Sequence, residues 1–425
     1  MTRFLGLRSG ATSEAPAGSD SSPVFKVRTS EFPANGPSWA DSIASELNAL
    51  DAASLLRKCR VVDSPQQPEV ALTGRRLLNF SSNDYLGLAA DPLLREAAKA
   101  AIDRFGVGAG ASRLVCGTMA PHRELEDRLA SFKKSEAALT FSSGYAAALG
   151  TLSALARSED VIILDKLCHA SLIDGARLSG ATIRVFPHND LGKLESHLRW
   201  ARKHFPSGRV LVVTESVFSM DGDLSPLEDI VDLKDRHGAF LLLDEAHAVG
   251  VRGLNGRGLA FEQGLSERID LHMGTLSKAL GGSGGYVCGR RRSIEFLLNK
   301  ARSFIYSTAP GPAAAATSSA ALDFLLSEDG EARRQKLAAN LAQFAEDCSA
   351  LSGAPPSAII PVILGTSQAA LSASEALLDA GFLIPAIRFP TVAKNAARLR
   401  VTVSAIHESH QIRELCAVLN RRLAP

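Results

Sequence analysis

The segment RVLVVTESVFSMDGDLSPLEDIVDLKDRHGAFLLLDEAHAVG, residues 209–250, places a helix-like stretch between two apolar, β-rich runs. The runs RVLVVTES and AFLLLDEA are almost continuously apolar, and residues 226–237 between them have helical spacing. Strands that are buried on both faces have such unbroken apolar runs, and a helical crossover joins neighbouring parallel strands. The segment therefore predicts a βαβ unit of an α/β protein.

The same alternation extends outward from this unit. Four further strands are predicted, AALTF (137–141), VIILD (161–165), TIRVF (182–186) and IDLHMGTL (269–276), with helical stretches at 144–157, 169–179 and 191–204. After residue 312 the pattern changes to long Ala/Leu-rich helices, then IIPVILG, a helix, RLRVTVSA and a final helix. This order predicts a large domain with a mainly parallel sheet, followed by a smaller α+β domain.

We expect four regions along the chain. They are a disordered tail at 1–38, an amphipathic helix from 39 to 60 within an N-terminal arm at 39–78, the large domain at 79–310, and the small domain at 311–425. The tail is rich in Ser, Pro, Gly and Ala and lacks the apolar core of a secretory signal.

Composition excludes several classes of protein. The 425 residues are 46% hydrophobic and carry a net charge of +2, without the basic stripe that nucleic-acid binding requires. The six cysteines form no CxxC pair, which indicates free thiols in a reducing compartment rather than disulfides or a zinc site. No apolar run reaches the ~18–20 residues of a membrane helix. We expect a cytoplasmic protein that binds neither nucleic acid nor membrane.

Polar residues stand at the carboxyl ends of the predicted strands, where open α/β sheets bind their ligands. After AALTF, the sequence SSGYAA predicts a helix that begins at Gly144 and Tyr145. The free N–H groups at this helix start suit a phosphate, although the same sequence is also compatible with an ordinary βα turn that binds no ligand. The segment HMGTLSKALGGSGGYVCG (272–289) has Lys278 just past a strand, between hydroxyls and glycines. The other strand ends carry His169, Glu215, Ser219, Asp221, Asp244 and His247.

Two other interpretations of these residues are weaker. The letters DEAH, residues 244–247, also end the Walker B strand of helicases, but the chain has no GxxxxGK[ST] loop to bind the nucleotide phosphates. A metal could bind Asp244, His247 and His169, yet no HExxH or similar close ligand pair is present. We predict no metal.

One cofactor accounts for all of these groups. Pyridoxal phosphate (PLP) needs a lysine for its aldehyde and an acidic partner for its ring nitrogen, together with hydroxyls and helix N–H groups for its phosphate. Lys278 and Asp244 suit the first two tasks, and His169 can lie against the ring. The residues predicted to bind the phosphate are Thr275, Ser277, Gly144 and Tyr145.

From about residue 40 onward the sequence resembles the α-oxoamine synthases, PLP enzymes of fold type I. The resemblance is carried, in order, by NFSSNDYLGLA (79–89), HRELEDRLASF (122–132), DKLCHASLIDGARLSG (165–180), ESVFSMDGDLSPL (215–227), LLLDEAHAVGVRGLNGRG (241–258), GTLSKALGGSGGY (274–286), FIYSTAPGP (304–312), AIRFPTV (386–392) and ARLRVTVSAIH (397–407).

The resemblance implies roles for individual residues. Lys278, Asp244 and His169 are the implied catalytic residues, and Arg400 holds the carboxylate of the amino acid, although without the family match it would be an exposed strand arginine. The implied cofactor contacts further include Glu215, Ser219 and His247, and the implied substrate contacts include Arg57, Asn83 and Thr391. The family builds its sites in a homodimer, and Ser307 or Thr308 matches the hydroxyl that the neighbouring subunit supplies.

Within the family, FIYSTAPGP, SMDGD and AIRFPTV favour condensation of L-alanine with pimeloyl-CoA or a pimeloyl-carrier protein, as in biotin biosynthesis. RLVCGTMAPHRELE and DGARLSG also resemble the member that joins glycine to acetyl-CoA. Two further classes stay open, another PLP enzyme of this fold, such as an aminotransferase, and a non-catalytic partner subunit. The intact Lys278 argues against the last.

Overall fold

The structure is a computed structural model that describes residues 38–349, 353 and 355–423. The predicted disordered tail therefore lies, apart from Ser38, outside the described residues. Within the described part of the chain, no helix is both long and apolar enough to cross a membrane. Internal contacts divide the chain between Leu56 and Arg57, and the two parts are described separately.

The first part contains helix α1, Trp39–Ala52, which is shorter than the helix predicted for residues 39–60. The hydroxyl of Ser38 caps it by accepting a hydrogen bond from the N–H of Asp41 at 3.1 Å. The prediction was wrong beyond Ala52 because Ser54 takes a left-handed backbone conformation, φ +56°, which a continuing helix cannot contain.

The second part contains all remaining elements. Its strands are β1 Glu69–Leu72, β2 Arg75–Asn79, β3 Ala137–Phe141, β4 Val161–Asp165, β5 Thr182–Phe186, β6 Val210–Glu215, β7 Phe240–Asp244, β8 Leu271–Thr275, β9 Gly285–Gly289, β10 Ile359–Gly365, β11 Phe382–Leu383, β12 Ala386–Ile387 and β13 Ala397–Thr402. Its helices are α2 Pro92–Phe105, α3 Ala120–Phe132, α4 Gly144–Leu155, α5 Ala170–Ser179, α6 Leu191–His204, α7 Leu227–Arg236, α8 Leu259–Glu262, α9 Arg291–Lys300, α10 Arg302–Ile305, α11 Pro312–Leu326, α12 Glu328–Asp347, α13 Ser367–Asp379 and α14 Ser409–Leu423.

Seven strands form the main sheet in the order β3-β9-β8-β7-β6-β4-β5. All six predicted strands are present and mutually parallel, which confirms the predicted α/β fold with a mainly parallel sheet. Every residue of β4 and β6 is buried, because hydrophobic clusters lie on both faces of the sheet. The polar groups at the strand ends are therefore positioned by strands that are themselves buried and tightly packed.

Strand β9 was missed and runs antiparallel between β3 and β8. Its sequence, GYVCG, has glycines at both ends, and the glycine-rich turn before it masks the short apolar run. Gly285 is required for space, since a Cβ there would lie 2.5 Å from the carbonyl oxygen of Ser143. The strand thereby packs directly against the start of α4.

Two small sheets complete the second part. Antiparallel β10-β13-β12 is the sheet of the C-terminal segment, and β11 pairs in parallel with β2 next to β1. The C-terminal segment thus also pairs with the N-terminal arm. The boundary between the large and the small domain, at residue 310, stays a prediction.

Candidate active site

The carboxyl ends of β3, β4, β6, β7 and β8 surround a cavity of about 240 Å³, which we call the strand-end cavity. Nine of the residues selected from the sequence line it together, although they come from five separate strand ends. Its lining residues are Ser143, Gly144, Tyr145, His169, Ser171, Glu215, Asp244, Ala246, His247, Met273, Gly274, Thr275, Ser277 and Lys278.

Lys278 enters the cavity from the turn between β8 and β9. The turn is closed by two backbone hydrogen bonds, from Gly281 N–H to the Lys278 carbonyl and from Leu276 N–H to the Gly284 carbonyl, at 2.8 and 2.9 Å. Burial lowers the pKa of Lys278 to about 8, although the nearby Asp244 and Glu215 carboxylates act in the opposite direction. A minor fraction of the amine is therefore neutral, and able to take up a proton, at pH 7, and this fraction is much larger than for a lysine with its usual pKa.

Two carboxyl groups face each other across β6 and β7. Glu215 and Asp244 are register partners at the ends of these strands, and both are buried. Burial and the charge of Asp244 raise the pKa of Glu215 to about 8, and burial raises the pKa of Asp244. A cationic group bound beside them would lower the cost of ionising Asp244, so this donor set fits the protonated ring nitrogen of PLP.

A second group of lining residues is suited to a phosphate. The first-turn N–H groups of α4, at Gly144 and Tyr145, have no partner within their helix. The hydroxyls of Thr275 and Ser277 lie 2.7 Å apart on the turn that packs against this helix end. A Cβ on Gly144 would stand 3.4 Å from the Thr275 Cβ, which keeps the two elements in close contact. N–H groups, hydroxyls and a helix N-terminus converge here, so the residues present fit the cofactor at both ends.

His169 stands at the N-cap of α5 on the side wall of the cavity. Its N–H donates to Glu215 Oε1 at 2.5 Å, and its Nδ1 lies 2.8 Å from the Ser171 hydroxyl. Burial and the charge of Lys278 lower the pKa of His169. The imidazole is therefore held in one place and is neutral near pH 7.

A hydrogen-bonded chain leads from the cavity into the core. Lys278 Nζ lies 2.7 Å from His247 Nε2, and His247 Nδ1 lies 2.5 Å from the hydroxyl of Tyr85. Arg400 Nη2 donates to the same hydroxyl at 3.4 Å. Burial lowers the pKa of His247 well below its usual value, and burial also raises the pKa of Tyr85. Both side chains are thus uncharged between two cationic residues.

Arg400 is buried, with 4% of its surface exposed, so its interpretation as an exposed strand arginine is contradicted. Its Nε donates to the Ser219 carbonyl at 2.7 Å, and its Nη1 donates to the Thr402 hydroxyl at 3.1 Å. The sequence could not indicate this burial, because β13 is covered by the distant 215–224 loop. Ser219 contributes its backbone to this contact.

Five other predicted residues lie outside the strand-end cavity. Thr308 forms an isolated bridge with Ser112 on the loop after α10, next to Ser307. The N–H of Thr391 donates to the Arg388 carbonyl at 3.0 Å, and burial together with the charge of Arg57 lowers the pKa of Arg388. Asn83 lies nearer the site, with its Oδ1 3.3 Å from the Tyr85 hydroxyl.

Sequence reasoning missed Tyr85 and His188. His188 bridges Asp165 and Asp223 at 3.0 and 2.7 Å, and so ties the end of β4 to the loop that contacts Arg400. Tyr85 lies within the quoted stretch NFSSNDYLGLA, where a polar aromatic among small residues was the available signal. His188 follows β5 directly, but its two partners are 23 and 35 residues away.

Comparison with known proteins identifies the family. The chain belongs to the aminotransferase class I and II family, whose model matches residues 75–419. An 8-amino-7-oxononanoate synthase of Anaeromyxobacter dehalogenans is 47% identical over 384 residues, covering 89% of this chain and 94% of that protein. Within the family the chain is an α-oxoamine synthase, a PLP-dependent acyltransferase.

Two solved structures are similar over most of the chain. A serine palmitoyltransferase of S. paucimobilis with a bound PLP–myriocin aldimine has a TM-score of 0.84 and 31% identity, covering 90% of this chain and 98% of that one. An 8-amino-7-oxononanoate synthase of Francisella tularensis has a TM-score of 0.68 and 28% identity, covering 82% and 98%. Both likenesses agree with the fold and with the family.

Proposed function

We propose that the protein condenses L-alanine with a pimeloyl thioester to give 8-amino-7-oxononanoate, CO2 and a free thiol, in biotin biosynthesis. The thioester is pimeloyl-CoA or a pimeloyl-carrier protein. The observation that carries the reaction class is the position of Lys278 and Asp244 in the strand-end cavity, with Arg400 connected to Lys278 through Tyr85 and His247. The substrates are supported by relatives named 8-amino-7-oxononanoate synthase that are 43–47% identical over nearly their whole length.

We further propose how the chain holds PLP. Asp244 would bind the ring nitrogen, His169 would lie against the ring, and His247 would contact the ring hydroxyl. Once bound, the cofactor supplies an aldehyde carbon and an electron-withdrawing ring that make the α-proton of an amino acid acidic. The remaining proposed cofactor contacts are Glu215 and Ser219. The phosphate would be bound by Gly144, Tyr145, Thr275 and Ser277.

The chain's own residues would then move protons and orient the substrate. The Lys278 amine, with its pKa lowered to about 8, would take the α-proton of alanine and return a proton after loss of CO2. Asp244 would keep the ring nitrogen protonated, and His169 would donate a proton. The buried guanidinium of Arg400 would pair with the alanine carboxylate, because its planar donors match a carboxylate.

The far end of the acyl substrate is proposed to lie near Arg57 and Thr391, and Asn83 is proposed to contact the substrate nearer the strand-end cavity. A pimeloyl chain ends in a second carboxylate. Burial and repulsion from Arg57 lower the pKa of Arg388, so the charges of these two guanidinium groups act on each other. An anion between them would relieve that repulsion, which supports an acidic acyl chain over acetyl.

We also propose a cytoplasmic homodimer whose subunits share their active sites. Ser307 and Thr308 lie outside the strand-end cavity of their own chain, on the loop beside Ser112. A hydroxyl from this loop would instead complete the phosphate site of the neighbouring subunit.

An end-point assay of released thiol tests the proposed reaction. L-alanine, glycine and L-serine are each combined with pimeloyl-CoA and acetyl-CoA, and the product is identified by its mass. We expect thiol and 8-amino-7-oxononanoate from alanine with pimeloyl-CoA, and none from the Lys278→Ala variant. Preference for glycine with acetyl-CoA, or for serine, would replace the proposed substrates but leave the family unchanged.

A further inference from the structure

His122 is a buried histidine that neither the proposed catalysis nor the proposed cofactor contacts use. It lies in the first turn of α3, with 1% of its surface exposed. Its Nδ1 lies 3.0 Å from the backbone nitrogen of Met119, and its Nε2 lies 2.8 Å from the carbonyl oxygen of Pro310. The imidazole therefore joins the start of α3 to residues 307–310, here called the 307–310 loop, which contain both hydroxyls proposed to reach the partner.

The two partners of the His122 ring allow only one arrangement of its hydrogens. A backbone N–H can only donate, so Nδ1 accepts from Met119 and carries no hydrogen. A carbonyl oxygen can only accept, so Nε2 carries the hydrogen and donates it to Pro310. The ring must be neutral, and burial lowers the pKa of His122 accordingly, although the bond to Pro310 acts in the opposite direction. His122 thus binds the helix start and the loop at the same time.

The helix from which His122 extends is itself firmly held. Glu126, one turn further along α3, is buried and accepts from Arg113 Nη2 and from the N–H of Thr140 on β3, both at 3.0 Å. Leu125 packs into the main hydrophobic core. The first turn of α3 is therefore a fixed point to which a surface loop can be attached.

The 307–310 loop has few other attachments. Thr308 forms an isolated bridge with Ser112, and the N–H of Ala309 donates to the Ala111 carbonyl at 3.0 Å. Among the described residues, His122 is the only side chain that hydrogen-bonds to this loop. Its position relative to the core therefore depends on the His122 ring.

We propose that His122 is a positioning residue for the neighbouring subunit, because it holds the 307–310 loop in the place from which Ser307 or Thr308 completes the partner's phosphate site. It does not line the strand-end cavity of its own chain. Loss of His122 should therefore weaken the site of the other subunit rather than its own. This inference rests on the proposed homodimer with shared sites, and it adds the residue that fixes the donated loop.

Two amide variants separate the two contacts of the ring. An asparagine places its carbonyl oxygen near the position of Nδ1, so it can accept from Met119, but it is too short to reach Pro310. A glutamine places its amide nitrogen near the position of Nε2 and can still donate to Pro310. His122→Asn should therefore lose the loop, and His122→Gln should keep it. His122→Glu, with the usual acceptor of a capping box, also cannot donate and replaces His122→Asn if that variant does not fold.

The first measurement is the affinity for PLP, obtained by diluting each holoenzyme and following the absorption of the PLP that stays bound. Loss of a hydrogen bond to the charged phosphate should weaken binding by about tenfold in His122→Asn. His122→Gln should stay within about threefold of wild type. Wild-type affinity in His122→Asn, or equal losses in both variants, would overturn the proposal.

Mixed dimers show which subunit the loss affects, a result that general damage to the fold could not imitate. One Lys278→Ala subunit and one His122→Asn subunit carry different affinity tags, so that only the mixed dimer is purified. The site that retains Lys278 then faces a loop whose His122 is intact. PLP fixed there by borohydride should show wild-type affinity. If it shows the weakened affinity of the His122→Asn homodimer, His122 acts within its own subunit and the proposal is wrong.

The outcomes for this inference and for the proposed shared sites can be told apart by the Ser307→Ala, Thr308→Ala double variant. If this variant binds PLP as wild type does, the shared phosphate site is wrong, and the role of His122 is wrong with it. If the double variant binds PLP weakly while His122→Asn binds it normally, the shared site stands and only the role of His122 is refuted.

Discussion

Glu215 and Asp244 occupy facing register positions at the ends of neighbouring parallel strands, yet their environments differ. Burial and the charge of Asp244 raise the pKa of Glu215 to about 8, so it is mostly protonated at pH 7. Burial raises the pKa of Asp244 as well, but the charge of Lys278 and the N–H of Ala246 favour its ionised form. One carboxyl group of the pair can thus remain neutral while the other carries the charge that a ring nitrogen needs.

Replacing each member of this pair by its amide should therefore give unequal effects. Asp244→Asn removes a required negative charge, and we expect the exchange of the α-proton of alanine to slow by orders of magnitude. Glu215→Gln replaces a group that is already neutral, and its amide oxygen can still accept from the His169 N–H. We expect exchange within about tenfold of wild type. Proton exchange followed by NMR in D2O measures both, and equal losses would contradict the assignment of Asp244.

PLP should be attached to Lys278 in the purified protein. The lowered pKa of the amine, about 8, favours the neutral form that reacts with an aldehyde. Borohydride reduction followed by peptide mapping should recover the modified lysine in the peptide around residue 278, and Lys278→Ala should yield none. A modified lysine elsewhere would remove Lys278 from the site.

The sequence predicted the groups at the strand ends because periodicity alone locates the ends of parallel strands, and these ends meet at one edge. Lys278, Asp244 and His169 were found in this way. The partners of Tyr85 and the burial of Arg400 were not, because those contacts join residues 162 and 181 positions apart. Strand β9 was missed for a local reason. Its five residues, GYVCG, begin and end with glycine, so the apolar run is too short to indicate a strand without its pairing to β3.

His188 should stabilise the fold in a pH-dependent way. Burial disfavours its charged form, but the bonds to Asp165 and Asp223 outweigh this and raise its pKa to about 10. A raised pKa stabilises the folded state fully below the unfolded value of about 6.5, and this contribution declines as pH rises and is lost above about 10. The melting temperature of wild type should therefore exceed that of His188→Gln most at pH 6, and the gap should close by about pH 10.

The exposed His204 on α6 provides the control for this measurement, because its Nδ1 lies 2.8 Å from the Trp200 carbonyl and its ring stacks on that of Trp200, rather than on a carboxylate. His204→Gln should differ little from wild type at any pH. A gap between wild type and His188→Gln that is the same at pH 6 and pH 10 would mean that His188 acts without its charge.

Shared active sites predict that two inactive variants complement each other. Lys278→Ala lacks the amine, and a Ser307→Ala, Thr308→Ala double variant lacks the hydroxyls proposed to cross to the partner. A mixed dimer has one site with both defects and one with neither. With random mixing, half of the dimers are mixed, so activity should reach roughly a quarter of wild type. An active monomer, or no recovery after subunit exchange, would exclude this arrangement.

Arg400 should determine the affinity for alanine. Removing its side chain leaves a desolvated carboxylate unpaired, which costs roughly 2–5 kcal/mol. At about 1.4 kcal/mol per tenfold, Arg400→Ala should bind alanine roughly thirty- to several-thousand-fold more weakly, as measured by the change in PLP absorption. Arg398 offers a control on the same strand, because it is equally buried but bonds to Asp221 and the Met220 carbonyl instead. Arg398→Ala should lower the melting temperature while keeping alanine affinity near wild type. If the two variants lose alanine affinity equally, the loss reports damage to β13, and the carboxylate must bind elsewhere.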